Sequence, residues 1–163
     1  MILQYFKKKE NEYKKVADKI YLSIISKSKV LIKKKYFKEV NFNSSFELIL
    51  IFIIFYLNKI KNKNDLKNKK INIEIVNNFV NDLDKTFREI GIGDISIGKH
   101  VKKYVKKFYY RVKKLDLVLR NFNNDNLIEY LNSIKNIDNK YSSELAKDLN
   151  NIYQKLNKNL EKL

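Results

Sequence analysis

Apolar residues recur at intervals of three and four along most of this chain, the spacing that places them on one face of an α-helix. The pattern covers residues 13–28, 71–90 and 96–121, a segment around Leu127–Ile134, and a last segment that begins at Asp138 or Ser142. Period-two alternation is nowhere sustained, so no strands are predicted. We therefore predict an all-α fold, a single irregular bundle of about five to seven helices without a sheet, in one domain over residues 1–163.

Residues 46–57, FELILIFIIFYL, form the most apolar run of the sequence. A membrane-spanning helix needs about 20 apolar residues, whereas a run of about 10–14 is typical of a buried helix. Glu47 lies near the start of the run, and Lys59 and Lys61 follow its end. We interpret the run as the central core helix, capped by Ser44 or Ser45. A helix in the membrane interface and a true span are the alternatives.

The segments between the predicted helices are rich in lysine. Residues 29–43 alternate lysines with apolar and aromatic side chains, and we interpret them as an irregular or short helical connection. Residues 58–70, NKIKNKNDLKNKK, are typical of a solvated loop of low complexity. An RNA-binding arm is the functional alternative for this loop, because clustered lysines attract phosphate. Residues 1–12 are expected to be mobile.

All three glycines of the chain, Gly91, Gly93 and Gly98, fall within eight consecutive positions. Glycine permits positive φ and close backbone approach, so this clustering indicates a built turn. Gly91 follows the apolar pattern of residues 71–90 at the place of a left-handed helix cap, and Gly93 is a second candidate for positive φ. Asp94 or Ser96 is placed to cap the helix that follows. The predicted unit is a helix, a tight turn and a long helix.

The last predicted helices have their own start signals. Asn124 or Asp125 is predicted to cap the helix that contains Leu127 and Ile134. The final helix continues its apolar stripe to the end of the chain.

Residues 79–111, FVNDLDKTFREIGIGDISIGKHVKKYVKKFYYR, resemble the signature of the ubiquinol–cytochrome c chaperone family. That signature contains a phenylalanine, Asp-x-Asp, Arg-Glu-x-Gly-x-Gly-Asp, a Gly-Lys pair and Phe-Tyr-Gly-Arg. The residues in register are Phe79, Asp82, Asp84, Arg88, Glu89, Gly91, Gly93, Asp94, Lys99, Phe108, Tyr109 and Arg111. The chain departs from the signature at Tyr110, where the family usually has glycine, and at Ser45, where it tends to have arginine before Phe-Glu.

The resemblance implies an assembly chaperone that binds newly made cytochrome b and supports assembly of ubiquinol–cytochrome c reductase, respiratory complex III. Cytochrome b or its nascent chain is the implied partner, and the ribosome and a small partner subunit are further candidates. No enzyme activity, cofactor, metal or small-molecule substrate is implied. The residues in register from Asp82 to Arg111 would then form either a partner-binding surface or a structural turn.

The residue types around the turn allow other chemistry to be weighed independently. Asp84 and Arg88 are four apart and can pair on one helix face, whereas Asp82 points in another direction, which does not favour a paired acid–base site. A metal site that includes Asp94 is an alternative, although the spacing is not that of an EF-hand. His100 has no cysteine or second histidine beside it, which excludes a recognisable zinc site or catalytic triad. The glycine pattern follows a helix rather than a strand, so the nucleotide-binding motifs do not apply.

Charge adds a second candidate function. The chain has 35 Lys and Arg against 18 Asp and Glu, a formal net charge of +17, which favours RNA, ribosomes or acidic lipid head groups. The lysines of the long helix form one side of it and lie beside Phe108, Tyr109 and Tyr110: Lys102, Lys103, Lys106, Lys107, Lys113 and Lys114. This side is either a solvated face or a basic docking surface. A basic helical nucleic-acid-binding or ribosome-binding protein is therefore the alternative function.

Two features bear on the compartment. Cysteine is absent, which excludes disulfides and thiol catalysis and fits a reducing environment. Residues 1–10 place lysines after a short apolar start, the reverse of a secretory signal. We expect a cytoplasmic protein, with a peripheral contact at the anionic cytoplasmic face of the inner membrane as an additional expectation.

Overall fold

The computed structural model describes residues 2–32, 35–61 and 65–160. Within these ranges the chain forms six α-helices and no named strand, which confirms the all-α prediction. The helices are α1 (Ile2–Ile32), α2 (Phe42–Lys61), α3 (Leu66–Glu89), α4 (Asp94–Arg120), α5 (Asn124–Asn132) and α6 (Ser142–Leu160), with a 3₁₀ helix at Asn139–Tyr141. An isolated antiparallel bridge joins Phe37 and Ile137.

The residues group into two compact units. The first unit contains Met1–Ser23 and Ile60–Tyr110, and the second contains Ile24–Lys59 and Arg111–Leu163. Helices α1, α2 and α4 each contribute residues to both units. The interpretation of residues 1–163 as a single domain stays a prediction.

Helices cover most of two segments for which no helix was predicted, residues 1–12 and residues 58–70, as far as the structure describes them. Helix α1 begins at Ile2, within the segment expected to be mobile, and extends to Ile32. The lysine-rich loop is shorter than predicted, because α2 continues to Lys61 and α3 begins at Leu66; residues 62–64 of the predicted loop lie outside the described residues. Asp65 caps α3 by accepting a hydrogen bond from the Lys67 N–H at 3.3 Å. Lysine and asparagine without glycine or proline do not interrupt a helix, which explains the longer elements.

Helix α2 is the core helix that its composition predicts. Its residues Leu48, Leu50, Ile51, Phe52, Ile53 and Phe55 are completely buried. By length and composition alone Phe42–Ile60 could cross a membrane, yet 67% of its most apolar window is buried inside the protein. A helix that buries its whole circumference matches the core interpretation.

The cap of α2 differs from the prediction. The Asn41 side-chain oxygen accepts from the Ser44 N–H at 3.2 Å, and the Ser44 hydroxyl oxygen accepts from the Asn41 N–H at 3.3 Å. Asn41 therefore caps the helix, and the prediction of Ser44 or Ser45 was wrong. In the same way Asn123, one residue before the predicted caps, accepts from the Asn126 N–H at 2.7 Å and caps α5.

The connection before α2 is irregular over residues 35–41 and is anchored by aromatic side chains. It is shorter than the predicted 29–43, because residues 29–32 continue α1 and residues 42–43 belong to α2; residues 33–34 lie outside the described residues. Tyr36 is buried, and its hydroxyl donates to the Asp148 carboxylate on α6 at 2.6 Å. The backbone of the same segment pairs with residues 136–138, where the Lys38 N–H donates to Asn136 O and the Asp138 N–H donates to Tyr36 O, both at 3.0 Å. Asp138 also caps the 3₁₀ helix, and Ser142 begins α6.

The turn between α3 and α4 is a Schellman motif built on Gly91. Gly91 has φ +82°, its N–H donates to Arg88 O at 3.0 Å, and the Ile92 N–H donates to Phe87 O at 3.0 Å. These two bonds satisfy carbonyls that the end of α3 would otherwise leave unpaired. The prediction of a left-handed cap at Gly91 is confirmed.

The other turn predictions need correction. Gly93 does not have φ in the left-handed region, and a Cβ added there would meet nothing within 4 Å. Asp94 and Ser96 lie inside the first turn of α4 rather than before it. One left-handed residue is enough to reverse the chain, so the second glycine is not required by backbone geometry.

Replacement of Gly91 tests this description of the turn. We expect Gly91→Ala to lower the free energy of unfolding by about 1–2 kcal/mol, because a Cβ is strained at φ +82°. Gly93→Ala is the matched control and should cost less than half as much. Urea unfolding followed by circular dichroism measures both variants, and equal losses would contradict the description.

Candidate functional site

Arg88, at the end of α3, holds two carboxylates of the signature segment. Its Nε donates to Asp84 at 2.7 Å, and its Nη1 donates to Asp94 at 2.6 Å across the turn. The hydrogen bond and charge of Asp84, together with those of Asp94, raise the pKa of Arg88. The Arg88 side chain is 53% exposed, so its one positive charge is shared between the two carboxylates at the surface and stays accessible. Glu89, the next residue, is also exposed.

Asp82 faces a different neighbour, as its position two residues from Asp84 predicts. The Tyr21 hydroxyl of α1 donates to the Asp82 carboxylate at 2.8 Å. Burial is the main cause that raises the pKa of Tyr21, and the Asp82 charge and hydrogen bond act in the same direction. Asp82 thus links α1 to α3 through a hydrogen bond. The predicted alternative of a metal site has no matching cluster: within the described ranges no group of three or more His, Asp or Glu side chains is placed to hold a metal ion.

Aromatic side chains pack α3 against α4. The Phe79 and Phe108 ring centroids lie 5.4 Å apart, and Phe87 lies 5.3 Å from Tyr104 and 5.7 Å from His100. Such offset ring pairs add to the free energy gained from burial. Phe108 is therefore a core residue, and His100 packs its ring on Phe87.

Arg111 is buried in an ion pair with the core helix. Its Nε and Nη2 each donate to a Glu47 oxygen at 3.0 Å, and both side chains are almost fully buried, at 11% and 3% exposure. The Arg111 guanidinium also lies over the Tyr130 ring at 6.0 Å. The planar fork of arginine fits a carboxylate through two parallel bonds. Arg111 therefore lies in the packing between α4 and α2 rather than at the surface.

The exposed side of α4 carries the basic residues. A surface depression is lined by Ser96, Lys99, His100, Lys102, Lys103 and Lys106. Beyond it Tyr109 is 62% exposed and Tyr110 is 55% exposed. Asp94, Lys99 and Tyr109 are thus residues of the signature segment that α4 presents at the surface.

A groove between α3 and α4 contains residues that the sequence analysis did not select. On α3 it is lined by Val80, Asn81, Asp84 and Lys85. On α4 it is lined by Gly98, Val101, Lys102 and Val105. The spacing of Gly98, Val101 and Val105 along the helix was the available signal, but such a stripe does not by itself distinguish a surface from a core face.

Three comparisons with known proteins complete the description. A profile of the family described as ubiquinol-cytochrome C chaperone matches residues 38–156, which include the whole of α2 to α5. The structure described as the crystal structure of the Cbp3 homolog from Brucella abortus shares the fold, with a TM-score of 0.76 and 24% identity. That likeness covers 96% of this chain and 88% of the other chain. No curated protein sequence matches.

The buried ion pair generates a stability prediction. We expect Arg111→Ala or Glu47→Ala to lower the free energy of unfolding by about 3–5 kcal/mol, because each change leaves one buried charge without its partner. The matched control is Arg120→Ala, which breaks an exposed pair with Asp116 on the same helix and should cost about 0.5 kcal/mol or less. Chemical unfolding of the three variants measures these free energies. A loss in the Arg111 variant no larger than in the Arg120 variant would show that the pair does not hold the core.

Proposed function

The chain belongs to the ubiquinol-cytochrome C chaperone family, and from this membership we propose that it binds newly made cytochrome b and supports assembly of ubiquinol–cytochrome c reductase. The match over residues 38–156 is the observation that carries the proposal, because it spans the core helix and both helices of the signature segment. The protein would act by binding its client rather than by catalysis.

The surface of the α3–α4 hairpin supports such a role. A chaperone for a membrane-protein client needs exposed apolar or aromatic side chains that can replace the client's own contacts. Tyr109 and Tyr110 are more than half exposed on α4, and Ile95 in its first turn is completely exposed. These side chains lie on the same helix as the basic depression.

The basic depression supports a second contact, with an anionic surface. Lys99, Lys102, Lys103 and Lys106 lie together on α4, and such clusters attract the phosphates of lipid head groups or ribosomal RNA. Client binding would therefore take place beside the membrane or the ribosome, in the cytoplasm. A small partner subunit would complete the chaperone, as the family resemblance implies.

Deletion of the gene tests the proposed function. We expect a strain without this protein to keep cytochrome b message and to lose assembled reductase, and a plasmid copy to restore the complex. Reductase content is measured by spectroscopy of membrane cytochromes and by native electrophoresis. Normal reductase in the deletion strain, or loss of the message itself, would contradict an assembly role and favour a nucleic-acid-binding function.

Arg88 tests whether the turn is more than structural. Because its two ion pairs are exposed, we expect Arg88→Ala to melt within a few degrees of the unchanged protein, about the range of surface substitutions. In the deletion strain the same variant should fail to restore full reductase levels, whereas Arg120→Ala, which also breaks an exposed pair, should restore them. Full restoration of the reductase by Arg88→Ala would show that Arg88 has only a structural function in the turn.

A further inference from the structure

The α3–α4 groove has the features of a docking site for a helix. Val80 from α3 and Val101 and Val105 from α4 form its apolar part, and all three are partly exposed. On α4 the row Gly98, Val101, Val105, Tyr109 steps by three and four residues, so it forms a continuous ridge along the helix. A second helix can lay an apolar stripe against such a ridge.

Gly98 is the residue that the protein's own fold does not explain. It lies inside α4, its φ is not in the left-handed region, and a Cβ added there would meet nothing within 4 Å. Glycine weakens a helix interior relative to alanine, and neither a turn nor internal packing requires it here. Small residues at helix surfaces allow a partner helix to approach closely.

The charges at the rim define the occupant further. Arg88 offsets the charge of Asp84 at 2.7 Å only in part, because it also pairs with Asp94, but the groove lining has two lysines, Lys85 on α3 and Lys102 on α4, against this one carboxylate. Lys99 and Lys106 extend the positive charge along α4. An apolar helix with carboxylates beside its stripe complements this rim, whereas a segment flanked by lysine or arginine is repelled.

We propose that the groove lined by Val80, Gly98, Val101 and Val105 binds one apolar helix of the client, flanked by acidic residues, with Gly98 as the point of closest approach. This inference rests on the proposed function, since it takes cytochrome b as the source of the helix. It assigns the client contact to the hairpin of α3 and α4, and it implies that the Tyr109 ring contacts the client helix at the end of the ridge.

Site-specific cross-linking tests the proposal on the full chain. The sequence contains no cysteine, so two variants can each carry a single benzophenone maleimide probe: Val101→Cys in the groove, and Ile73→Cys at an exposed position of α3 outside both the groove and the basic depression. Cytochrome b is synthesised in a cell-free reaction with either labelled protein and then illuminated. We expect a several-fold higher yield of cytochrome b adduct from position 101, formed with one apolar helix that has acidic flanks.

Gly98 supplies the matched pair of substitutions. In the Val101→Cys background, Gly98→Trp should fill the groove and lower the adduct yield about tenfold, as blocking the centre of an interface does. Gly98→Ala should lower the yield much less, about two- to threefold, because a methyl group moves the client helix only slightly. It should also raise the melting temperature, because alanine favours the helix and its Cβ meets open space. Val105→Lys provides a second blocked variant whose folding does not depend on accommodating an indole. Circular dichroism confirms the helix content of each protein.

The outcomes separate this inference from the proposed function. Three results would contradict client binding in the groove: equal yields from positions 101 and 73, an undiminished yield in both blocked variants, or adducts with lipid or RNA in place of cytochrome b. If cytochrome b still co-purifies with the blocked variants and they restore the reductase, the proposed function stands without the groove. An absence of cytochrome b adducts from any position, together with normal reductase in the deletion strain, overturns both.

Discussion

The left-handed conformation of Gly91 is the constraint on which the candidate site depends. At φ +82° it directs its own N–H and that of Ile92 back to the last carbonyls of α3, so the chain reverses within a few residues. The reversal lets Phe79 meet Phe108 and lets Phe87 meet Tyr104, which packs the two helices along their length. The outer sides of the same helices then form the groove and the basic depression. The candidate surface therefore depends on one backbone angle and on the aromatic pairs that it allows.

The second unit is held by a different interaction, the pair of Arg111 and Glu47. Two nearly buried charges are costly to remove from water, and two parallel hydrogen bonds of 3.0 Å offset that cost. Because two parallel bonds fix the relative orientation of guanidinium and carboxylate, the pair constrains where the Arg111 end of α4 lies against α2. Because Arg111 belongs to the signature segment, that segment serves the core as well as the surface: Phe108 and Arg111 are buried, whereas Lys99 and Tyr109 are exposed.

The sequence predicted the features that local physics determines. The apolar run of α2, the helical spacing of α3 and α4 and the left-handed cap at Gly91 all follow from residue type and period, and each is confirmed. The caps at Asn41 and Asn123 were misplaced, because several neighbouring polar residues can accept the same backbone N–H. The Arg111–Glu47 pair could not be predicted, since its residues are 64 apart in the sequence. The groove around Gly98 could not be predicted either, since an apolar stripe does not show which of its valines stay partly exposed. The local sequence around an arginine or a valine on a helix does not show which residue of another helix it contacts.

Methyl NMR of the full 163-residue chain tests the proposal that the α3–α4 hairpin receives a client helix. A valine-labelled sample would be titrated with a synthetic peptide of the cytochrome b helix that the cross-link identifies. We expect shifts at Val80, Val101 and Val105 and unchanged signals at Val30 and Val40, which serve as controls because both are exposed outside the groove. Shifts confined to Val30 and Val40, or peptide binding that leaves the three groove valines unchanged, would contradict it.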